Sequence, residues 1–372
     1  MTTRTLLDTA GASTVAQVAL AEARRQGLRV VVAVVDPWGD LLHLDRTEGA
    51  QAASAVVATD KARTAAIFRR PSRELEEQVG GGRLGALALP GAAALTGGIP
   101  LLVGDQVVGA VGTSGETPDQ DESVSRAGAA ASYSTVVLPG LSQLAARRVA
   151  GVVAAAATGR GVAPVVAVVD AGGSLVYLWR GDEAQVASVD VALAKARTAA
   201  LYRRPSADFE TQAATGRPSA LHLARAVPLQ GGIPLTVGGT VVGAVGVSGA
   251  SSAHEDSELA QLGAGALADE PTSLHLGAAA VAEGFSRSGL LLRRSAFAVD
   301  AATRRGPGEE ELHPGTTDVI SVVAGTATVQ VADATYDLSP GDLLVVPAGM
   351  PHRFTAASDP FRYLVVKVEE AT

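Results

Sequence analysis

The sequence contains no cysteine in its 372 residues. This absence excludes disulfide bonds, thiolate metal sites, iron–sulfur clusters and cysteine nucleophiles together. Any bound metal ion must therefore be held by histidine, aspartate or glutamate. The chain supplies 6 histidines and 38 acidic residues for such a role.

Aromatic residues, at 3% of the chain, are also scarce. Their scarcity argues against a stacking platform for single-stranded nucleic acid. The formal net charge is -8, so we expect no nucleic-acid partner and no anionic membrane surface. The sequence shows no uncharged apolar run of about 18 residues and no signal-peptide pattern. We therefore expect a cytoplasmic protein.

What the sequence does contain is an internal repeat. The segment VVAVVDPWGDLLHLDR at 31–46 returns as VVAVVDAGGSLVYLWR at 165–180, 134 positions later. Two further segments return with the same spacing: 60–72 at 194–206, and 97–115 at 231–249. The common spacing predicts a tandem duplication of one domain in a single register without a gap.

Each copy has the same predicted order of elements. An alanine-rich helix precedes an apolar run rich in β-branched residues, and turns with proline and glycine then connect strands as hairpins. Hairpins flanked by helices indicate an α+β fold with an antiparallel sheet. After about residue 268, short alternating strands separated by turns predict an all-β barrel. We predict three domains, at 1–135, 136–268 and 269–372.

The repeated unit resembles the GlcG/HbpS family, the haem-binding-like domain also found at the C-terminus of PduO-type proteins. The resemblance covers nearly all of 1–268 and lies in four motifs. They are VAVVDxxGxLxxLxR, a helix ending in KARTAA, a GGIP hairpin, and GAVGxSG followed by acidic residues. It implies an α+β sandwich, oligomer formation, which we expect here as a homodimer, and haem or iron binding in some members.

The C-terminal segment resembles a cupin. GDLLVVPAGMPH, at 341–352, matches the second cupin motif. The first motif usually has two histidines, then an acid and a glycine, and the matching positions here are Glu311, His313, Asp318 and Gly325. Glu311 thus stands in place of the first histidine, and Asp318 in place of the usual glutamate.

The cupin resemblance implies a metal site formed by His313, Asp318 and His352, with Glu311 as a fourth ligand or as a base. Two imidazoles with one or two carboxylates suit Fe(II), Mn(II), Zn(II) or Ni(II), with positions left open for substrate or dioxygen. The alternative is a barrel that has lost its metal, in which Glu311 pairs with an arginine such as Arg304 or Arg353.

The repeats offer a second candidate pocket. Lys195 and Thr198 lie on a predicted helix of small residues. In one interpretation, Lys195 binds the carboxylate of a ligand or a haem propionate, with Arg180 nearby. In the other, it only pairs with a carboxylate of the protein and so fixes the helix. We favour the second interpretation. Gly231 and Gly232 either expose backbone amides to an anion or form a sharp entry to the hairpin.

The histidines disfavour a symmetric haem site. His43 in the first copy and His222 in the second have no histidine at the matching position of the other copy. Haem therefore stays a disfavoured cofactor. If one copy is active and the other structural, His222 and Arg217 make the second copy the better candidate. Asp36 and Asp170 precede glycine-containing turns, where aspartate usually binds the turn backbone.

These features leave two classes of function open. The first is a metal-dependent cupin enzyme that modifies a small oxygenated molecule, by oxidation or oxygenation first and by isomerisation or cyclisation second. Its candidate catalytic residues are Glu311, Lys195, Arg217 and His222. The second class has no turnover: a haem or small-ligand sensor or carrier, or an assembly scaffold. A bound transition metal would support the enzyme, and a haem absorption band the sensor.

Overall fold

The computed structural model describes residues 1–268, 289–294 and 297–369. The chain divides into two compact units, Met1–Glu270 and Pro271–Thr372. The first unit holds both repeats, and the second holds the all-β region. None of the helices described is long and apolar enough to cross a membrane.

The two repeats have the same order of strands and helices. In the first copy the elements are β1 (Thr2–Leu7), α1 (Thr9–Arg25), β2 (Val31–Val35), β3 (Leu41–Arg46), α2 (Ser54–Phe68), α3 (Arg73–Gly80), β4 (Gly98–Val103), β5 (Gln106–Ser114) and α4 (Pro118–Ala129). The second copy has β6 (Thr135–Gly140), α5 (Gln143–Gly159), β7 (Val165–Asp170), β8 (Leu175–Arg180), α6 (Ser188–Tyr202), α7 (Ala207–Ala214), β9 (Gly232–Val237), β10 (Thr240–Ser248) and α8 (Ala253–Ala268).

Each repeat builds a four-stranded antiparallel sheet, in the orders β3-β2-β5-β4 and β8-β7-β10-β9. Strand β2 is buried on both faces, which explains why its sequence is an unbroken apolar run. Val32 and Val34 pack with α1 and α4, whereas Val31 and Ala33 pack with α2 on the other face. The predicted α+β fold with an antiparallel sheet is confirmed.

Glycine allows helix α2 to lie close against the sheet. A Cβ at Gly112 of β5 would collide with the backbone of Ala58, and one at Gly98 of β4 would collide with the backbone of Lys61. The second copy shows the same relation at Gly246 and Gly232. Glycine is therefore required at these strand positions by the approach of a helix backbone.

Strands β1 and β6, which the sequence analysis did not predict, join the two repeats. They form a two-stranded antiparallel sheet in which Thr2 faces Gly140 and Leu7 faces Thr135. Because β1 and β6 are equivalent strands of the two copies, this pairing relates the repeats by a pseudo-two-fold axis.

The turns after β2 and β7 meet across the same interface, but their residues differ. Trp38 lies against Gly172, its equivalent in the second copy, and a Cβ at Gly172 would collide with the indole ring. The indole N–H of Trp38 donates to Oδ2 of Asp170 at 3.0 Å, and Arg4 pairs with the same oxygen at 3.3 Å. The contact between the repeats is therefore asymmetric.

Asp36, the counterpart of Asp170, has a different environment. Its Oδ1 accepts hydrogen bonds from the backbone N–H groups of Trp38 at 2.9 Å and Asp40 at 3.0 Å, as expected for a turn aspartate. The second copy has Leu138 at the position equivalent to Arg4. Burial raises the pKa of Asp36 to about 6, and the nearby carboxylate of Asp40 adds to the rise.

This raised pKa predicts a pH-dependent stability. Between about pH 4 and pH 6 the unfolded chain loses the Asp36 proton while the folded chain keeps it, so rising pH favours unfolding. Between these pH values the wild-type protein is expected to lose about 2–3 kcal/mol of its free energy of unfolding. We expect Asp36→Asn to remove this loss. Denaturant unfolding of wild type and variant at pH 4 and pH 8 measures the effect, with exposed Asp182→Asn as control. If wild type and Asp36→Asn differ in free energy of unfolding by the same amount at both pH values, the prediction is wrong.

The second unit is all-β, as predicted, and its strands form two facing sheets. Its strands are β11 (Gly289–Arg294), β12 (Phe297–Arg304), β13 (Thr316–Ala324), β14 (Ala327–Val331), β15 (Ala334–Leu338), β16 (Leu343–Val346), β17 (His352–Ala357) and β18 (Phe361–Glu369). One sheet has the order β11-β12-β18-β13-β16 and the other β15-β14-β17. Their shared core includes Ile320, Phe354 and Phe361.

Candidate metal centre

Three predicted metal ligands come together in the all-β unit. Asp318 lies on β13, His352 begins β17, and His313 lies in the segment just before β13. Nδ1 of His313 is 2.6 Å from Oδ2 of Asp318, and Nε2 of His352 is 3.8 Å from the same oxygen. Asp318 and His352 thus lie on strands of the two facing sheets.

Burial leaves this group with an unmet bonding capacity. Asp318 is 2% exposed and His352 is 3% exposed. Oδ1 of Asp318 is buried and accepts no hydrogen bond from any residue in the part of the chain described. A buried carboxylate oxygen without a partner is unfavourable, and a cation coordinated there would satisfy it.

The spacing of the three side chains also fits a metal ion. One ligand atom from each of His313, Asp318 and His352 can be chosen so that all lie within 4.8 Å of one another. Metal–nitrogen and metal–oxygen bonds of about 2.1 Å place two ligand atoms up to about 4 Å apart. Nδ1 of His352 is 3.3 Å from the carbonyl oxygen of Met350, and a hydrogen bond there leaves Nε2 for the metal.

Glu311 lies beside this group with a different partner. The backbone of Glu311 pairs with that of His352. Residues 311–313 lie outside the strands. The alternation of side chains along a strand therefore does not place Glu311 and His313 on one face. The Glu311 carboxylate forms an ion pair with Arg304. An ion pair between Glu311 and an arginine is the arrangement expected for a barrel without a metal. The roles of Glu311 as a fourth ligand or as a base stay predictions.

A cavity of about 150 Å³ adjoins two of the three candidate ligands, Asp318 and His352. Asp318, His352 and Glu311 line it, together with Tyr363 and Lys367. Burial raises the pKa of Tyr363, so its phenol stays protonated at neutral pH and accepts a hydrogen bond from Nε of the Arg304 guanidinium at 2.9 Å. At about 30 Å³ per water-sized group, the cavity holds a molecule of about five non-hydrogen atoms.

The candidate residues of the repeats have a different setting. Lys195 is 3% exposed, and its Nζ lies 2.8 Å from Oδ2 of Asp256 and donates to the carbonyl of Val247 at 3.0 Å. Lys61 and Asp121 form the same pair in the first copy, at 2.7 Å. Both lysines thus have a buried carboxylate partner, which is the interpretation that we favour from the sequence.

The partner aspartates reveal an error in the predicted register. Asp121 and Asp256 lie 135 positions apart, whereas their lysines lie 134 apart. The N-caps of the following helices, Thr117 and Ser252, share the larger spacing. The second copy therefore has one additional residue between Gly249 and α8, and the prediction of a register without a gap is wrong there.

Gly231, Gly232 and Thr198 lie near Lys195. Gly231 has φ +113, and a Cβ added there would lie 3.0 Å from Nζ of Lys195. The N–H of Gly232 donates to Oγ of Ser206 at 2.9 Å, so this amide is already used within the fold. Thr198 is buried, donates to the carbonyl of Ala194 at 2.8 Å, and accepts from the backbone of Val227.

The remaining predicted residues are exposed and have local contacts. Arg180 donates to the carbonyl of Ala184 at 2.9 Å, and Arg217 to the side chain of Gln212 at 3.2 Å. His222 ends a 3-10 helix, Pro218–His222, and is exposed. Their catalytic and cofactor-binding roles stay predictions.

Comparison with known families agrees with both parts of the fold. The family model described as "Haem degrading protein HbpS-like" matches residues 7–130 and again 141–265. The model described as "Cupin domain" matches residues 302–367. Two HbpS-like domains are thus followed by a cupin domain, as the sequence motifs indicated.

Individual proteins show the same relationship. Protein GlcG of Escherichia coli (strain K12) is 38% identical over 114 residues, which are 31% of this chain and 85% of GlcG. The crystal structure of a double mutant of HbpS from Streptomyces reticuli is 34% identical and covers 35% of this chain and 89% of its own, with a TM-score of 0.33. A cupin-2 domain containing protein from Shewanella frigidimarina is 18% identical and covers 22% of this chain and 79% of its own, with a TM-score of 0.21. On the strength of the family match over most of its length and the identity to GlcG, the chain belongs to the HbpS-like family.

Proposed function

We propose that the cupin domain is the metal-dependent catalytic centre of an enzyme that modifies a small oxygenated organic molecule. The observation that carries this proposal is the buried Oδ1 of Asp318, which lacks a partner among the described residues while two imidazoles lie beside it. The adjoining cavity gives a small substrate access to Asp318 and His352, which both line it.

Each residue of the centre has a proposed role. His313, Asp318 and His352 hold a divalent transition metal, which when bound supplies Lewis-acid or redox chemistry. Glu311 lies on the cavity wall as a base, and the Arg304 guanidinium positions its carboxylate through their ion pair. The buried ring of Phe354 lines the cavity and excludes water from it.

The reaction class follows from what this centre can do. A metal with open positions beside a carboxylate base supports oxidation or oxygenation of the substrate, and we place this class first. Proton removal and return by Glu311 alone would support isomerisation or cyclisation, which we place second. Both classes act on the same small molecule in the same cavity.

Metal loading and turnover test the proposal together. Chelated protein is loaded separately with Fe(II), Mn(II), Zn(II) or Ni(II) and incubated with a panel of small hydroxy and oxo acids, with and without dioxygen. We expect turnover with at least one metal, its loss in His352→Ala, and its retention in the exposed neighbour variant Arg353→Ala. Turnover that survives metal removal, or a protein that retains none of the four metals, would contradict the proposal.

Haem binding by the repeats has less support, although the family model is described as haem degrading. The two lysines that the sequence offered to a propionate are buried against Asp121 and Asp256. His222 is exposed on its 3-10 helix and has no counterpart in the first copy. The homodimer expected from the sequence likewise stays a prediction.

A further inference from the structure

A second cavity, of about 330 Å³, lies between the two HbpS-like repeats. Both copies contribute to its wall, because the turn after β7 faces the end of α2 and the hairpin turn between β4 and β5. Its principal lining residues are Leu6, Trp38, Ile67, Arg69, Asp105 and Asp170. A volume of this size is typical of small-molecule sites.

The two copies differ at three charged or aromatic positions that line this cavity. At the places equivalent to Arg4, Trp38 and Asp105, the second copy has Leu138, Gly172 and Gly239. The motifs that build the sheets and the helix α2, in contrast, are nearly the same in both copies. The equivalent positions of the second copy thus lack the arginine, the indole and the carboxylate that line this cavity.

Two charged side chains of the cavity have no partner within the described residues. Arg4 and Asp170 form an ion pair with each other at 3.3 Å. Arg69 and Asp105 carry opposite charges and line the same cavity, yet neither side chain forms an ion pair or hydrogen bond in the described part of the chain. The cavity therefore offers one cation and one anion to a ligand.

Arg69 also has an unusual backbone. It ends helix α2 with φ +55, in the left-handed region where residues with a side chain are strained and glycine is not. Arg203 has the same φ at the end of α6. Glycine at either position would relieve the strain, so both arginines can be removed without a cost to the turn.

Apolar groups form one part of the wall, and Gln106 and Ser174 add polar groups to it. Leu6, Ile67 and Val107 lie along the apolar part, with Pro37 and the indole of Trp38. At about 30 Å³ per water-sized group, the volume holds about eleven non-hydrogen atoms. A partly apolar wall with two opposite charges at this size matches a free amino acid with an apolar side chain.

We propose that this cavity binds a zwitterionic apolar amino acid of the size of leucine or methionine. Its carboxylate pairs with the Arg69 guanidinium, its ammonium group pairs with the Asp105 carboxylate, and its side chain packs on Leu6 and Ile67. The site is independent of the cupin centre, and it occurs once per chain because the second copy lacks Asp105 and Trp38 at the equivalent positions.

Calorimetric titration of the full chain with L-leucine tests the proposal. We expect saturable binding at one site per chain. Arg69→Gly keeps the left-handed backbone, and Asp105→Gly reproduces the Gly238–Gly239 turn of the second copy, so both variants are expected to fold. Each is expected to weaken binding about ten-fold or more. Arg203→Gly, the matched change in the second copy, is expected to bind as wild type does.

Two analogues and one spectroscopic signal complete the test. 4-Methylpentanoate lacks the ammonium group and isoamylamine lacks the carboxylate, so each is expected to bind about ten-fold more weakly than L-leucine. In Trp179→Phe, Trp38 is the remaining tryptophan, and its fluorescence is expected to change on saturation. No saturable binding of L-leucine or L-methionine, equal binding of the analogues, or equal effects of Arg69→Gly and Arg203→Gly would overturn the proposal.

Discussion

Asp318→Asn is expected to abolish metal binding by the cupin domain. Asp318 contacts both histidines of the candidate centre and is the ligand whose second oxygen lacks a partner in the described structure. Loss of one of three ligands is expected to weaken metal affinity by more than about 100-fold, since loss of a supporting outer residue already costs 10–100-fold. Elemental analysis of purified protein should fall from about one metal per chain to nearly none.

The free energy of unfolding, measured with and without metal, provides a second test. Metal at 100 times its Kd is expected to stabilise the wild-type cupin domain by about 2.7 kcal/mol and to leave Asp318→Asn unchanged. Without metal, the variant is expected to be at least as stable as wild type, because a neutral amide is easier to bury than a carboxylate with one oxygen unsatisfied. The exposed Asp333→Asn is the control. Wild-type metal content in Asp318→Asn would remove this residue from the centre.

Lys61→Met is expected to destabilise the repeat unit by about 3–5 kcal/mol. The change leaves the carboxylate of Asp121 buried without its cation, 2% exposed in the interior of the fold. For a unit of this size the midpoint of thermal unfolding should fall by roughly 10 °C. Lys61→Met combined with Asp121→Asn removes both charges and should recover most of the loss.

The same prediction has a pH dependence. Burial raises the pKa of Asp121, and the Lys61 ammonium group opposes that rise. Without Lys61 the folded pKa rises further above its unfolded value, so the stability difference between variant and wild type should grow as pH increases. Lys195→Met, which leaves Asp256 unpaired, is the matched variant. Wild-type stability in either lysine variant would contradict a structural role and return the lysine to the candidate binding residues.

Features that repeat along the chain could be predicted from the sequence. The spacing of equal segments identified both HbpS-like domains, and the apolar run rich in β-branched residues identified strand β2. The three ligands His313, Asp318 and His352 were also predicted, because the cupin motifs place them at recognisable positions. Each of these predictions depends on residues that are close in sequence or that occur twice.

Contacts between distant segments could not be predicted in the same way. The short strand Thr2–Leu7 has no strong alternation, and its partner strand begins at Thr135 in the other copy. Asp256 was not predicted as the partner of Lys195, because the two residues lie 61 positions apart and nothing in the sequence shows which acidic residue reaches the lysine. The ion pair between Glu311 and an arginine was considered as an alternative. Only the three-dimensional positions of Glu311 and Arg304 show that this pair forms.

The contact between Trp38 and Gly172 has a consequence for how such a chain can evolve. In an assembly of two identical single domains, the residue on the two-fold axis faces its own copy, so a large side chain there collides with itself. Fusion of the two domains into one chain removes this identity, and one half can then enlarge where the other becomes small. The halves have become complementary rather than self-complementary. If they were produced as separate chains, we would expect each half to prefer the other over a second copy of itself.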